Sequence, residues 1–310
     1  MKGEPLSSSV DMRIYSRKPF LDRALPYLII APALLITIGI MIPFISAIYY
    51  SLTNYSFLRQ TYKMVWGRNW LNMLSDSSFW HAVWVTCKYA FWSTGCEMVL
   101  GLGIGLLICK KTNWFTSTLR VVLVFPLMIA PVIATIIWQL MTNTSVGILE
   151  KFLNLFGVYG FPWAASQTTA LATAVMIDVW VNTPFIIVLV VAGINSLPKS
   201  PFEAAQVDGA SALFTFRNLT LPMLKPFLYI ALIFRLMASL QEYAIIFALT
   251  KGGPGDTLMN LSLTAYNKGF YYKRFGEAMP YILFLWVVIF VIAKILVGKW
   301  LAVQKAAAGK

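Results

Sequence analysis

Six long apolar runs constrain what this chain can fold into. They lie near residues 25–52, 79–109, 119–141, 168–196, 223–250 and 279–301. Each is long enough for the roughly 20 residues that a helix needs to cross a bilayer. The pattern predicts an all-α integral membrane protein. Six transmembrane helices would fill residues 25–301, between tails at 1–24 and 302–310. Only 12% of the 310 residues are charged, where a water-soluble domain carries about 25%. The lipid bilayer is therefore the expected environment.

The net charge of +13 raises nucleic acid as a partner. The basic residues are scattered at the ends of apolar runs, form no stripe and carry no nucleic-acid motif. Positive flanks of membrane spans account for them, and no nucleic-acid partner is expected. Cys87, Cys96 and Cys109 share one apolar run without paired-ligand spacing and are expected as buried, reduced thiols. His81 is the only histidine, which leaves little room for a metal site or a Ser-His-Asp triad. The chain has no P-loop, so no ATP site is expected in it. Gly101, Gly103 and Gly105 superficially resemble a nucleotide fingerprint. They sit in mid-helix without a strand before them, so close helix packing is the better account.

Orientation follows from lysine and arginine. Residues 1–23 are polar and basic and lack a signal-peptide cleavage pattern. With this tail inside, the larger share of Lys and Arg falls on the cytoplasmic side, including Arg13, Arg17, Lys18, Lys110, Lys111 and Lys199. Both termini are then cytoplasmic. Aromatic residues crowd the outer loops, among them Tyr55, Phe57, Trp66, Trp163 and Phe270. They suit an interfacial belt, a docking surface for an external protein, or both. Pro32, Pro43, Pro126, Pro131 and Pro184 fall inside spans, where each removes a hydrogen bond and serves as a static kink or a hinge.

Ionisable groups inside a bilayer are costly and mark functional candidates. Here they are Lys88, Glu97, Asp178, Arg235, Glu242 and, near the inner end of the last span, Lys294. Arg235, Ala238, Ser239 and Glu242 fall at i, i+3, i+4 and i+7, one face of a helix; Asp178, Val181, Asn182 and Phe185 repeat that spacing. Arg235 and Glu242 stand two turns apart, so Arg235 is expected to meet Asp178 on the neighbouring helix. Lys88 and Glu97 are out of phase by about half a turn and are placed outside the site.

Between the fourth and fifth runs lies a more polar segment, 198–222. Pro198 and Pro201 break the preceding helix and suit a new first turn. Glu203, Ala204 and Ala205 favour helix, with the acid where the helix dipole is positive. Asp208-Gly209 permits a turn, and Leu221-Pro222 is expected to stop the segment before the next span.

Glu203-Ala204-Ala205, Asp208-Gly209-Ala210, Phe216, Leu219 and Leu221-Pro222 resemble the cytoplasmic loop (the EAA motif) of binding-protein-dependent ABC importer permeases. The 50–54 segment, Phe125-Pro126 with Ala130-Pro131, Trp180 with Pro184, and Gly252-Gly253-Pro254 are similar to stretches of the maltose-type, carbohydrate-uptake subgroup. The resemblance implies type I ABC importer permease architecture in the bacterial inner membrane, with 198–222 as a coupling loop on an ATP-hydrolysing subunit. It implies as partners a second, homologous permease, two ATPase subunits that hold ATP and Mg, an extracytoplasmic binding protein and a sugar. It assigns Asp178, Asn182, Phe185, Arg235, Ser239 and Glu242 to the substrate path, with no catalytic residue, metal or cofactor of the chain's own. An amino-acid or peptide permease and an ion-coupled carrier are the alternatives. Ala278-Met279-Pro280 departs from the subgroup's pattern and leaves the start of the last helix open.

Overall fold

A computed structural model describes residues 19–59, 61–109 and 114–307. The chain divides into two compact units, Met1–Tyr49 and Tyr50–Lys310. The first is, in its described part, most of one helix, α1 (Pro19–Ser51). It runs through Pro26, Pro32 and Pro43 without ending. The Thr37 and Ser46 hydroxyls donate to the carbonyls of Ala33 and Ile42, each at 2.8 Å. Such back-bonding satisfies hydroxyls that lipid would leave unpartnered.

The second unit continues with α2 (Arg68–Ser75), α3 (Ser77–Cys109), α4 (Trp114–Val124), α5 (Pro131–Met141), α6 (Ile148–Asn154) and α7 (Ala170–Ser196). Then come α8 (Ser200–Val207), α9 (Ala212–Thr215), α10 (Leu221–Leu240), α11 (Ala244–Thr250), α12 (Leu261–Tyr266) and α13 (Phe275–Ala307). Among the described residues there is no strand beyond a single bridge, Thr53 to Met64. Among the described residues five helices are long and apolar enough to cross a membrane, and a bent pair makes a sixth if it counts as one span.

The centre is built on α3, α7 and α10. Gly101 lies against Ile186 and Gly105 against Val190, so α3 and α7 run parallel, and a methyl group at either glycine would stand 2.6 Å from the facing side chain. Small residues admit this approach, and van der Waals contact then holds helices that lipid gives no hydrophobic reason to associate. Gly103 faces open space instead, so the close packing expected of three glycines belongs to two. Helix α10 returns antiparallel, with Leu224 and Phe227 against Gly193 at one end and Ser239 beside Thr94 at the other. Phe79 of α3 meets Tyr281 and Phe284 of α13 edge-on, with ring centroids 5.5 and 5.0 Å apart.

Several expectations are corrected. The run at 119–141 is not a straight span. Phe125–Met128 tightens to a 3-10 turn, and the helical pieces on either side of 129–130 are bent by 102°. Pro131, which has no N–H to donate, opens the second piece as its first residue. Pro184, by contrast, is buried within an unbroken α7. The run at 223–250 breaks after Leu240 and restarts at Ala244. Leu221-Pro222 does not stop the chain: a wide π turn, Phe216–Thr220, passes directly into α10, with Pro222 in its first turn. The last helix starts at Phe275 and carries Pro280 inside. The three cysteines are free, but Cys87 is exposed and the other two are only half-buried, because α3 turns them away from its packed face.

Candidate functional site

Arg235 is the hub of a buried ionic node. Its Nε donates to Glu97 Oε2 and its Nη2 to Glu97 Oε1, both at 2.7 Å. Nη2 also donates to Asp178 Oδ1 at 3.1 Å and reaches the Ser239 hydroxyl at 3.4 Å. The node thus joins α3, α7 and α10. Glu97 and Asp178 are fully buried and Arg235 is 7% exposed. A guanidinium that meets a carboxylate through two parallel bonds is the geometry that repays desolvation best. The node is extended by Asn182, whose amide donates to Asp178 Oδ1 at 2.6 Å, and by Thr94, which donates to Ser239 at 3.2 Å. The Tyr89 hydroxyl is buried beside the Asp178 carboxylate.

The pairing of Arg235 with Asp178 agrees with the sequence reading. The sequence reading sets Glu97 outside the site, whereas in the structure it makes the two shortest contacts to Arg235. A signal for it was present. Glu97, Gly101 and Gly105 are spaced by four, so the glycines that mark the packed face of α3 put Glu97 on it. Lys88 does lie elsewhere, over the ring of Trp84 at 5.5 Å, and Lys294 is exposed on α13.

Glu242 leaves the stripe because α10 ends before it. Its Oε1 accepts from the Ile245 amide at 2.7 Å and so caps the start of α11. The carbonyls freed by the break are met by side chains of the 260–262 segment: Asn260 donates to Glu242 O, and Ser262 to Gln241 O at 3.1 Å. Broken helices at membrane depth require such substitutes. Phe185 packs edge-on to Phe234, with centroids 6.1 Å apart, and Phe234 is 62% exposed.

At the other end of α7 and α10 stands the 198–222 segment. Helix α8 has no buried residue. Glu203, Ala204, Asp208 and Gly209 are exposed, while Ala205, Leu221 and Pro222 are half-buried. Gly209 takes a left-handed conformation (φ +70°), as a turn after α8 requires. The Ser211 hydroxyl then caps α9 by accepting from the Phe214 amide at 3.2 Å. Exposed apolar side chains were missed in the sequence: Val207, Leu213 and Phe214 are 88%, 74% and 55% exposed. Large apolar residues in an otherwise polar loop were the available signal.

His81 Nε2 lies 3.0 Å from the Asp256 carbonyl and 3.7 Å from its carboxylate, at the end of α3 far from the 198–222 segment.

An all-helical membrane chain with a buried charged node joining three of its spans, and a short exposed helix between two of them, has the build of a type I ABC importer permease. The chain belongs to the family described as the binding-protein-dependent transport system inner membrane component, whose pattern matches residues 98–303. It is 33% identical to the trehalose/maltose transport system permease protein MalF of Thermococcus litoralis, over 94% of this chain and 99% of that one. It is 30% identical to the sn-glycerol-3-phosphate transport system permease protein UgpA of Escherichia coli, covering 82% and 86% of the two chains. Its fold matches a chain of a bacterial ABC transporter that imports the acidic polysaccharide alginate, with a TM-score of 0.77 at 19% identity, over 91% and 97% of the chains.

Proposed function

We propose that this chain is one permease subunit of an ATP-driven importer that carries a sugar into the cytoplasm by alternating access. The observation that carries the reading is the exposed 200–215 segment, with its bare Val207, Leu213 and Phe214, in a chain of this family. An isolated apolar peg between two spans is explained by a cleft that receives it. Its place between α7 and α10 puts it on the two helices that the node clamps together. A push on the peg would therefore reach the node through rigid elements.

In this reading two ATPase subunits hold the ATP and Mg, and their closure moves the coupling loop at Glu203, Ala204, Ala205, Asp208, Gly209, Leu221 and Pro222. A second, homologous permease completes the pathway, and an external binding protein delivers the cargo. Residues 1–24 and 302–310 are cytoplasmic tails. Asp178, Asn182, Phe185, Arg235, Ser239 and Glu242 line the path, where hydroxyls hydrogen-bond to the polar groups and sugar ring faces pack on aromatics. The names of the relatives include uncharged sugars and anions alike, so they do not decide the charge of the cargo.

The test is uptake by the purified transporter, co-assembled with its partner subunits and binding protein in proteoliposomes. The account expects ATP-dependent accumulation of sugar. ATP-dependent uptake of amino acids or peptides in place of sugar would contradict it, and so would uptake that needs no ATP.

A further inference from the structure

We infer that α6 and the turn after it are an interfacial anchor, whose apolar face lies in the lipid headgroup boundary of the leaflet opposite the 198–222 segment. It needs the membrane fold alone, whatever the cargo. The connection from α5 to α7 that holds α6 precedes the start of α7, and the 198–222 segment follows its end. Ile148, Phe152 and Leu155, at i, i+4 and i+7, share one helix face. Phe156 and Tyr159 in the turn extend it, and Phe156 meets Phe152 edge-on with centroids 5.2 Å apart. All five are exposed, from 56% for Phe152 to 81% for Leu155. Such a cluster differs from the single apolar residues scattered over an ordinary surface.

The segment's own fold turns this face outward. Glu150, on the opposite side of the helix, is buried, and its Oε1 accepts from the Gly160 amide. Gly157 and Gly160 take left-handed conformations (φ +79° and +63°), which bring the chain back to Glu150. Ahead of α6 the Gly147 amide donates to the Asn143 carbonyl, and the Asn143 side chain accepts from the Ser145 and Val146 amides. A methyl group on Gly147 would collide with the Met141 and Asn143 carbonyls, so this turn is closed tightly on the end of α5. The inner side is filled, and the apolar side has no room to fold in.

Reach and charge name the occupant. Residues 142–147 join α6 to α5, a distance of at most about 20 Å if fully extended, and α5 belongs to the bent pair that makes the sixth span. Lipid is therefore within reach. The outward face carries no acidic side chain, and Lys151 is exposed at its flank, where a lipid phosphate can meet it. Interfacial helices bury a face of this kind about 5–10 Å into the headgroup boundary. Tyr159, apolar in its ring and polar at its tip, suits that depth. Anchored so, the far end of α5, beyond the 102° bend, is held at a fixed depth.

The experiment uses the assembled transporter in phosphatidylethanolamine–phosphatidylglycerol vesicles, in a chain whose Cys87, Cys96 and Cys109 are replaced by serine. A nitrobenzoxadiazole fluorophore is attached, one site at a time, at Phe152→Cys, Leu155→Cys and Lys151→Cys. Iodide reports contact with water, and lipid spin-labelled near the headgroup reports contact with the membrane surface. Iodide quenching at 152 and 155 is expected to be at least ~5-fold weaker than at 151, with strong quenching by the spin-labelled lipid. Iodide quenching at 155 equal to that at 151 overturns the inference. So does protection from both quenchers, which assigns the face to a second permease or an external protein. Because the fluorophore is itself apolar, Ile148→Glu with Phe156→Glu is added. This pair should raise iodide quenching at 152 to the level seen at 151, and an unchanged value also overturns the inference.

Discussion

The ionic node and the coupling segment are both polar interruptions of an apolar chain, and the fold treats them oppositely. At the node, Glu97, Asp178, Arg235 and Ser239 find their partners inside the chain and are sealed from water. In the coupling segment, Glu203, Val207, Asp208, Leu213 and Phe214 stand exposed. The difference separates two kinds of function. A buried charge cluster ties helices of one chain together, whereas an exposed helix that mixes apolar and charged side chains leaves a surface that another chain can cover. Lipid sharpens the contrast, because an unpaired charge is tolerated beside the membrane and not within it.

Breaking the node should produce the largest loss. Arg235→Ala leaves two buried carboxylates unpaired and is expected to cost about 3–5 kcal/mol, read as unfolding of the purified protein in detergent. A cost near that of an ordinary surface substitution would mean that the node does not hold the helices. The packed face of α3 comes next. Gly101→Ala forces a methyl group against Ile186 and should cost about 1–3 kcal/mol, while Gly103→Ala, facing open space, should be neutral or stabilising by up to about 1 kcal/mol. Equal effects at the two glycines would contradict the parallel α3–α7 contact.

In the coupling segment the expected effects are smaller and local. Ser211→Ala removes the cap of α9 and should cost about 1 kcal/mol, seen as faster amide exchange at Phe214 with the rest of the chain unchanged. A charge outside the membrane spans offers a further contrast with the buried node. The Ser78 hydroxyl above all, then its amide and Lys268, hold the Asp76 carboxyl below its ordinary value, against burial. Its contribution is therefore full above the ordinary carboxylate range and fades as pH falls through the lowered folded value. Asp76→Asn should cost less than about 1 kcal/mol at neutral pH and nothing in strong acid, measured as a melting-temperature difference that closes as pH falls. Glu203→Arg should change stability by no more than about 0.5 kcal/mol yet lower ATP-driven uptake. Wild-type uptake with Glu203→Arg would remove that residue from the coupling surface.

The sequence made the helical membrane fold and the short helix after Pro198 legible because both are local. Apolar run length marks spans, and Pro198, Pro201 and Gly209 punctuate the segment between two of them. The partner of Arg235 was only half legible. Phase along one helix brings Arg235 and Ser239 together, but it does not say which face of α3 meets α10. The spacing of Glu97 from Gly101 and Gly105 puts it on the face of α3 that packs against α7, and its reach to Arg235 on α10 is a tertiary contact that the spacing does not show. The break after Leu240 was hidden because neither proline nor glycine marks it. It is held by Asn260 and Ser262 from a later segment, a tertiary cause that no local pattern reveals. The bend near Pro126 and Pro131 was visible as a possibility, and its 102° was not.

The most direct test of the account concerns Val207, the most exposed large apolar side chain of the 198–222 segment. In a chain with Cys87, Cys96 and Cys109 replaced by serine, Val207→Cys is treated with a membrane-impermeant maleimide and with a short bifunctional crosslinker. The account predicts labelling from the cytoplasmic face only, loss of that labelling when the ATPase subunits are assembled, and a crosslink between the two chains. Labelling from the external face, or unchanged labelling in the complete transporter, would contradict it.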